Sequence, residues 1–423
     1  MRRVLLAGFA AVFACTPARN DQHFRLRIAL VGPLTAPVPG GEPSASTYAT
    51  GWVFETLLRA AADGSPVSGL AGEFRFLTPA QMVMRIRRGA TFSDGTPVGP
   101  EDVRQSLREA GIDVREQGSD LLVESPSGAP IEPLLRYEPI FKRNAGRYLG
   151  TGPFQVVSMA PERIVLGRRI PAPGKITEVI LLGFPTARDP FARTLAGDAD
   201  LLIVTDPKQL EFFQGIRRLR VVRGRGVTAI SVAMGLRRLN RSERRQIAAA
   251  LPVARMSQLV FGDECPPFHP TATDSNHASL ARSLEVAVLA EDPQLEHMAL
   301  AVARALGPRA KGIRAVAIRD IFDLLRSQDF DLMMTRPQVW PPSSAALLWA
   351  SDAPHNELGY RNPKVDAALR EGDWARALQE LRDDPPVAFI CTPERLALVD
   401  SRIKNAQVDG QDYLETLPDW EVE

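Results

Sequence analysis

Cys265, His269 and His277 stand as C-x3-H-x7-H, residue types that ligate zinc. The spacing fits no standard zinc pattern and the linking segment is loop-like, so a disulfide beside two surface histidines is the competing reading and no metal is expected. Arg336 follows an apolar run of Leu332, Met333 and Met334 and the polar Thr335. A planar guanidinium at a strand end can grip a ligand carboxylate or phosphate, or pair with an acidic neighbour across two lobes. Trp340 can stack on a ligand face or pack beneath its own loop. Enzyme signatures are missing: the chain has no G-x-x-x-x-G-K-[ST], no H-E-x-x-H and no G-x-S-x-G. Gly150-Thr151-Gly152 lacks the third glycine and following helix of a dinucleotide site. The expectation is a binding protein, not an enzyme, and one without a cofactor.

The elements that must position these residues alternate in type. The chain has 423 residues, 45% of them hydrophobic and 24% charged, enough for two or three domains with real cores. A net charge of +1 offers no basic face for nucleic acid. MRRVLLAGFAAVFAC places two arginines before a short apolar run and Cys15, an export signal too short to span a membrane. VFAC resembles a lipobox in which Cys15 carries lipid; an ordinary signal peptide with an incidental cysteine is the alternative. Cys265 and Cys391 remain, free to pair in an oxidising compartment or to stay as buried thiols.

Phe24 to Val31 reads as a first strand, and Pro33, Leu34 and Thr35 follow it in a Pro/Gly-rich loop. Trp52, Phe54, Leu57 and Leu58 have near-helical spacing. Residues 72–92 read as a hairpin. Asp94-Gly95 supplies a turn, Gly99 and Pro100 begin a helix, and Glu101 and Asp102 sit in its first turn, toward Gly111. Phe154–Val157 reads as a strand that ERIVLGRR continues. ITEVILLGFP, DPFARTLAG and ADLLIVT then give strand, helix, strand; SLEVAVLA, DPQLEHMALAVARALG, IRAVAIRD, IFDLLRSQ and DFDLMMT repeat the rhythm. Two α/β lobes follow from that repetition, and a cleft between lobes commonly binds a ligand.

Five segments in order resemble bacterial extracellular solute-binding protein family 5, the receptors of ABC importers for peptides, nickel chelates and related solutes. They are WVFETLLRAAADGSPVSGLAGEF, MVMRIRRGATFSDGTPVGPEDV, LGTGPFQVV, RTLAGDADLL and NELGYRNPKVDAAL. The resemblance implies a bilobed periplasmic-binding-protein type II-like α/β fold with a small domain inserted in the first lobe. Lobe I would take residues 16–50, 150–222 and 392–423, the accessory domain 51–149 and lobe II 223–391, after a signal segment over 1–15. Asp94 and Asp102 would then be scaffold residues.

Pro33, Leu34 and Thr35, just after the first strand, should line the cleft floor, with a plain loop as the alternative; the resemblance puts Thr335, Arg336, Gln338 and Trp340 on the family's cleft strand and loop as the facing ligand contacts. Peptide-binding members place an acid near Gln338 to meet the peptide's amine. An amide supplies no charge to a buried ammonium, so a free peptide terminus is poorly matched here. The implied protein is a monomer, held at the outer face of the membrane or in the periplasm through Cys15. Its partners would be a small-molecule or peptide-like solute and the permease subunits. An exported sensor or scaffold that keeps the fold without tight solute binding is the alternative.

Overall fold

The computed structural model describes residues 24–423, apart from 42–43, 126, 187, 263–264, 267, 269–281, 291, 318–319 and 354. Cys15, His269 and His277 lie outside the described residues. Three main sheets organise the chain. The lobe I sheet has seven strands, in the order Phe154–Ala160, Arg163–Arg168, Glu178–Phe184, Arg25–Val31, Leu201–Val204, Arg395–Asp400, Leu219–Gly224. Arg25–Val31 is parallel to both of its neighbours; the outer pairings are antiparallel. Its core holds Leu26, Ile28, Trp52, Phe154 and Trp420, all essentially solvent-free.

The lobe II sheet has five strands, Ala310–Val316, Leu284–Leu289, Leu332–Thr335, Ile230–Met234 and Val387–Cys391. The first three run parallel, and Ile230–Met234 pairs antiparallel with both of its neighbours. All five residues of Ile230–Met234 are buried, as expected of a central strand with apolar layers on both faces. Cys265 and Cys391 are joined by a disulfide with Cα atoms 5.4 Å apart, inside one of those layers.

In the chain between Arg25–Val31 and Phe154–Ala160 comes the accessory sheet, Ala71–Thr78, Gln81–Ile86, Asp120–Glu124, Asp113–Gln117, antiparallel throughout. The helix Pro100–Arg108 packs on it through Val103 and Leu107. Asp94 accepts from the Thr96 amide at 2.9 Å, and Asp102 accepts from the Gly99 amide at 2.8 Å, closing the turn and the helix start. Both acids therefore serve their own backbone.

Two expectations need correction. Residues 50–58 are not one helix: Thr50–Val53 makes a single turn, Phe54 is extended, and Leu58–Ala60 is a strand. The chain changes domain there, sending Trp52 and Phe54 into the lobe I core and Leu57 and Leu58 into the accessory core. Arg163–Arg168 does not continue Phe154–Ala160 but folds back on it, because Pro161-Glu162 forms a turn. At the crossing into the accessory domain, Gly152 lies against the Trp52 carbonyl. A Cβ at Gly152 would stand 2.2 Å from that oxygen, and one at Gly150 1.9 Å from the Val53 oxygen. The glycines of LGTGPF are required by this backbone approach.

The chain passes between lobes twice, over 225–229 and 392–394. Before the first crossing, Arg223 and Gly224 pair with Leu396 and Arg395 in the lobe I sheet. The crossings touch: a Cβ at Gly226 would lie 2.3 Å from the Pro393 oxygen.

Candidate functional site

In lobe II the strand Leu284–Leu289 has its two parallel neighbours on opposite sides, reached through the helices Pro293–Leu306 and Ile321–Ser327. The first helix leads from it to Ala310–Val316, the second leads from there back across it to Leu332–Thr335, and such reversals of direction open a crevice at the carboxyl ends of the strands. A cavity of about 490 Å³ lies at that point, within the usual range for a small-molecule site. Leu289, Ala233, Met333 and Val387 contribute from the sheet; Leu295, Ile321, Phe322 and Leu325 come from helices on either side. The short helix Ala345–Trp349 adds Leu347, Leu348 and Trp349. Tyr137 comes from the accessory domain, at the end of its helix Glu132–Tyr137.

The accessory domain is fixed here in two ways. Leu347 of lobe II is buried in the accessory core. Arg136 forms an ion pair with Glu132 at 2.6 Å and donates to the Ser343 hydroxyl of lobe II. Burial pushes the Glu132 carboxyl up and the Arg136 guanidinium down, and each restrains the shift of the other. Next to this pair the Tyr137 ring meets the His355 ring edge-to-face, with centroids 4.8 Å apart. Among the described residues, His355 Nε2 is buried without a hydrogen-bond partner. Burial lowers the His355 pKa against the charge of Glu357, which favours neutral imidazole.

Thr335, Arg336 and Gln338 line this cavity. Arg336 is already occupied. Its Nε and Nη2 donate to the two oxygens of Asp292 at 2.8 and 3.0 Å, and Nη2 also reaches Gln294 Oε1 at 2.8 Å. Asp292 caps the helix Pro293–Leu306 by accepting from the Leu295 amide. The acidic partner thus belongs to the same lobe as Arg336. Gln294 donates in turn to the Thr205 carbonyl of lobe I, so the chain of contacts from Arg336 ends across the lobes.

Gln338 and Trp340 lie along the lobe crossing. Ala229 N donates to Pro337 O at 3.0 Å and Val339 N to Val227 O at 2.8 Å, while Gln338 Nε2 holds the Trp340 carbonyl. Trp340 is 9% exposed, with the Arg225 guanidinium 4.9 Å from its ring, and it is not among the cavity-lining residues. Pro33, Leu34 and Thr35 also lie away from the cavity wall. Leu34 is buried in the lobe I core, and Thr35 bonds Ser44 and Ser46 within its loop. Among the described residues no cluster of His, Cys, Asp and Glu could hold a metal ion, and no helix is long and apolar enough to cross a membrane.

Tyr137, His355 and Asp292 escaped the sequence reading. Asp292-Pro293 carried a helix-start signal, and SSAALLW an apolar helical one; nothing in the local sequence singles out Tyr137 or His355.

No family model and no curated protein matches the chain. Solved structures do. NikA from Staphylococcus aureus, in complex with Ni(L-His)2, superposes with a TM-score of 0.74 at 14% identity, covering 95% of this chain and 100% of that one. The oligopeptide-binding protein AppA from Bacillus subtilis, bound to a nonapeptide, gives 0.75 at 14% identity, over 94% and 99%. DppA from Helicobacter pylori, an ABC transporter-associated periplasmic binding protein with the peptide STSA, gives 0.76 at 13% identity, over 94% and 98%. Over nearly its whole length, the chain has the two-lobed fold of these solute-binding proteins.

Proposed function

We propose that this protein is the extracytoplasmic substrate-binding component of an ABC importer. One observation carries the reading: a cavity of ligand size stands at the switch point of the lobe II sheet, with Tyr137 of the inserted domain in its wall. Solved proteins of the same fold hold peptides or a nickel chelate. A solute in this cavity would touch Thr335, Arg336 and Gln338. Through Arg336 and Gln294 it would favour the arrangement in which lobe II meets Thr205 of lobe I. A ligand shifts such an equilibrium only by its differential affinity for the two arrangements. The membrane permease would recognise the loaded form, with ATP hydrolysis in other subunits supplying the energy. Lipid on Cys15 would keep the receptor at the outer face of the membrane, as a monomer, and no chemistry on the solute is required.

The test is a native mass spectrum of the protein after incubation with cell extract. A discrete added mass that is lost on denaturation is the expected result. Bare protein across several extracts would overturn the receptor reading in favour of an exported sensor or scaffold.

A further inference from the structure

Each charged side chain that lines the cavity has a partner of opposite sign. Arg336 is closed on Asp292 by two hydrogen bonds and on Gln294 by a third, and Asp292 also accepts from the Leu295 amide. Behind the lining, the Arg326 guanidinium, which binds Asp323 at 2.7 Å, also stands 3.8 Å from Glu357. The rest of the lining is aliphatic, aromatic or uncharged, and it includes Phe322, a large apolar side chain left 41% exposed. Such a wall offers no unpaired counter-charge to an ammonium or carboxylate entering from water, and a buried unpaired charge is strongly disfavoured. Polar atoms of the wall remain to be satisfied. Among the described residues, His355 Nε2 is buried without a partner, and Gln338 uses its amide nitrogen on Trp340 while its oxygen has no hydrogen bond.

We infer that the cavity selects an uncharged, largely apolar solute bearing one or two hydrogen-bonding groups, and discriminates against charged compounds of the same shape. This rests on the receptor reading and adds the solute class to it. Apolar contact with Met333, Leu348, Phe322 and Trp349 would supply most of the affinity, and His355 and Gln338 would orient the polar group. A free dipeptide, charged at both ends, is the wrong kind of ligand for such a wall. Its capped counterpart, acetylated at the amine and amidated at the carboxylate, is the right kind.

The experiment uses two matched pairs of probes on the purified protein. N-phenyl-1-naphthylamine is titrated by fluorescence beside its sulfonated analogue, 8-anilinonaphthalene-1-sulfonate. Leu-Leu and its capped form then compete for the site. The expected result is saturable binding of the uncharged dye, at least tenfold tighter than the sulfonate and unchanged between low and moderate salt. The capped dipeptide should displace it and the free one should not. Ala233→Trp, which fills the floor of the cavity, should abolish binding. Phe322→Arg, on an exposed helix surface where folding tolerates it, should weaken the neutral dye at least tenfold. Equal or tighter binding of the charged member of both pairs would overturn the inference while leaving the receptor reading intact. Binding that survives both substitutions would also overturn it, as would no binding by any probe. The receptor reading itself falls only if the extract experiment returns bare protein.

Discussion

Removing the Cys265–Cys391 disulfide should cost lobe II more than any single surface contact. The two cysteines are 126 residues apart in sequence. In the chain-entropy model a loop of that length loses about 16 cal/mol/K when closed, or about 5 kcal/mol at room temperature. Losses for native disulfides run to about 2–5 kcal/mol, which corresponds to roughly 5–20 °C in melting temperature for a lobe of this size. The bond also has a local task. Cys391 ends the strand that leads into the second lobe crossing, and the segment around Pro266 is laid along it. Phe268 N donates to Ile390 O at 3.2 Å, and Thr392 N donates to Pro266 O at 3.1 Å. Loosening that segment releases one of the two strands joining the lobes. The assay is a calorimetric melt of native, reduced and Cys265→Ala/Cys391→Ala protein, with thiols counted under native conditions. The expected result is no titratable thiol from this pair before reduction and a lowered melt for lobe II after it. A shift below about 1 °C would refute the reasoning, as would two freely reacting thiols in the unreduced protein.

Three further outcomes follow from the packing and the charges. Arg136→Met leaves Glu132 buried and unpaired and should cost about 3–5 kcal/mol in urea denaturation; the double change with Glu132→Leu should recover most of that loss. Gly152→Ala forces a Cβ against the Trp52 carbonyl and should destabilise by about 3 kcal/mol or more, read in the same assay. Acid should weaken the fold through His355. Its pKa is lowered by burial in the folded state, so below about pH 6.5 the unfolded chain takes up a proton that the folded chain refuses. Stability therefore falls from that pH down to the lowered folded value, and His355→Phe should flatten that part of the stability–pH curve.

Much of the scaffold was legible because local rules agree with the fold at those places. Met84 and Ile86 alternate with arginines, Asp94-Gly95 makes its turn, and Gly99-Pro100 opens the helix Pro100–Arg108, all through contacts within a few residues. The βαβ rhythm of lobe II was visible for the same reason, since each strand and helix there carries its own periodicity. Where the chain changes domain, local spacing misled. Trp52, Phe54, Leu57 and Leu58 are spaced as on one helix but serve two separate cores. The site shows the same limit. Arg336 stood out as a cation at the end of an apolar strand, yet its partner Asp292 lies 44 residues away on another element. Tyr137 meets His355 across more than two hundred residues and two domains, a pairing that no local pattern encodes.

The most direct test of the receptor account is hydrogen–deuterium exchange on the protein with and without the solute it captures from extract. Binding in the cavity should slow exchange at Leu332–Thr335 and Ala345–Trp349, around His355, and at the end of the helix Glu132–Tyr137. Unchanged exchange in those segments, with protection confined to the loop of Pro33 and Thr35 or to the accessory sheet, would contradict it.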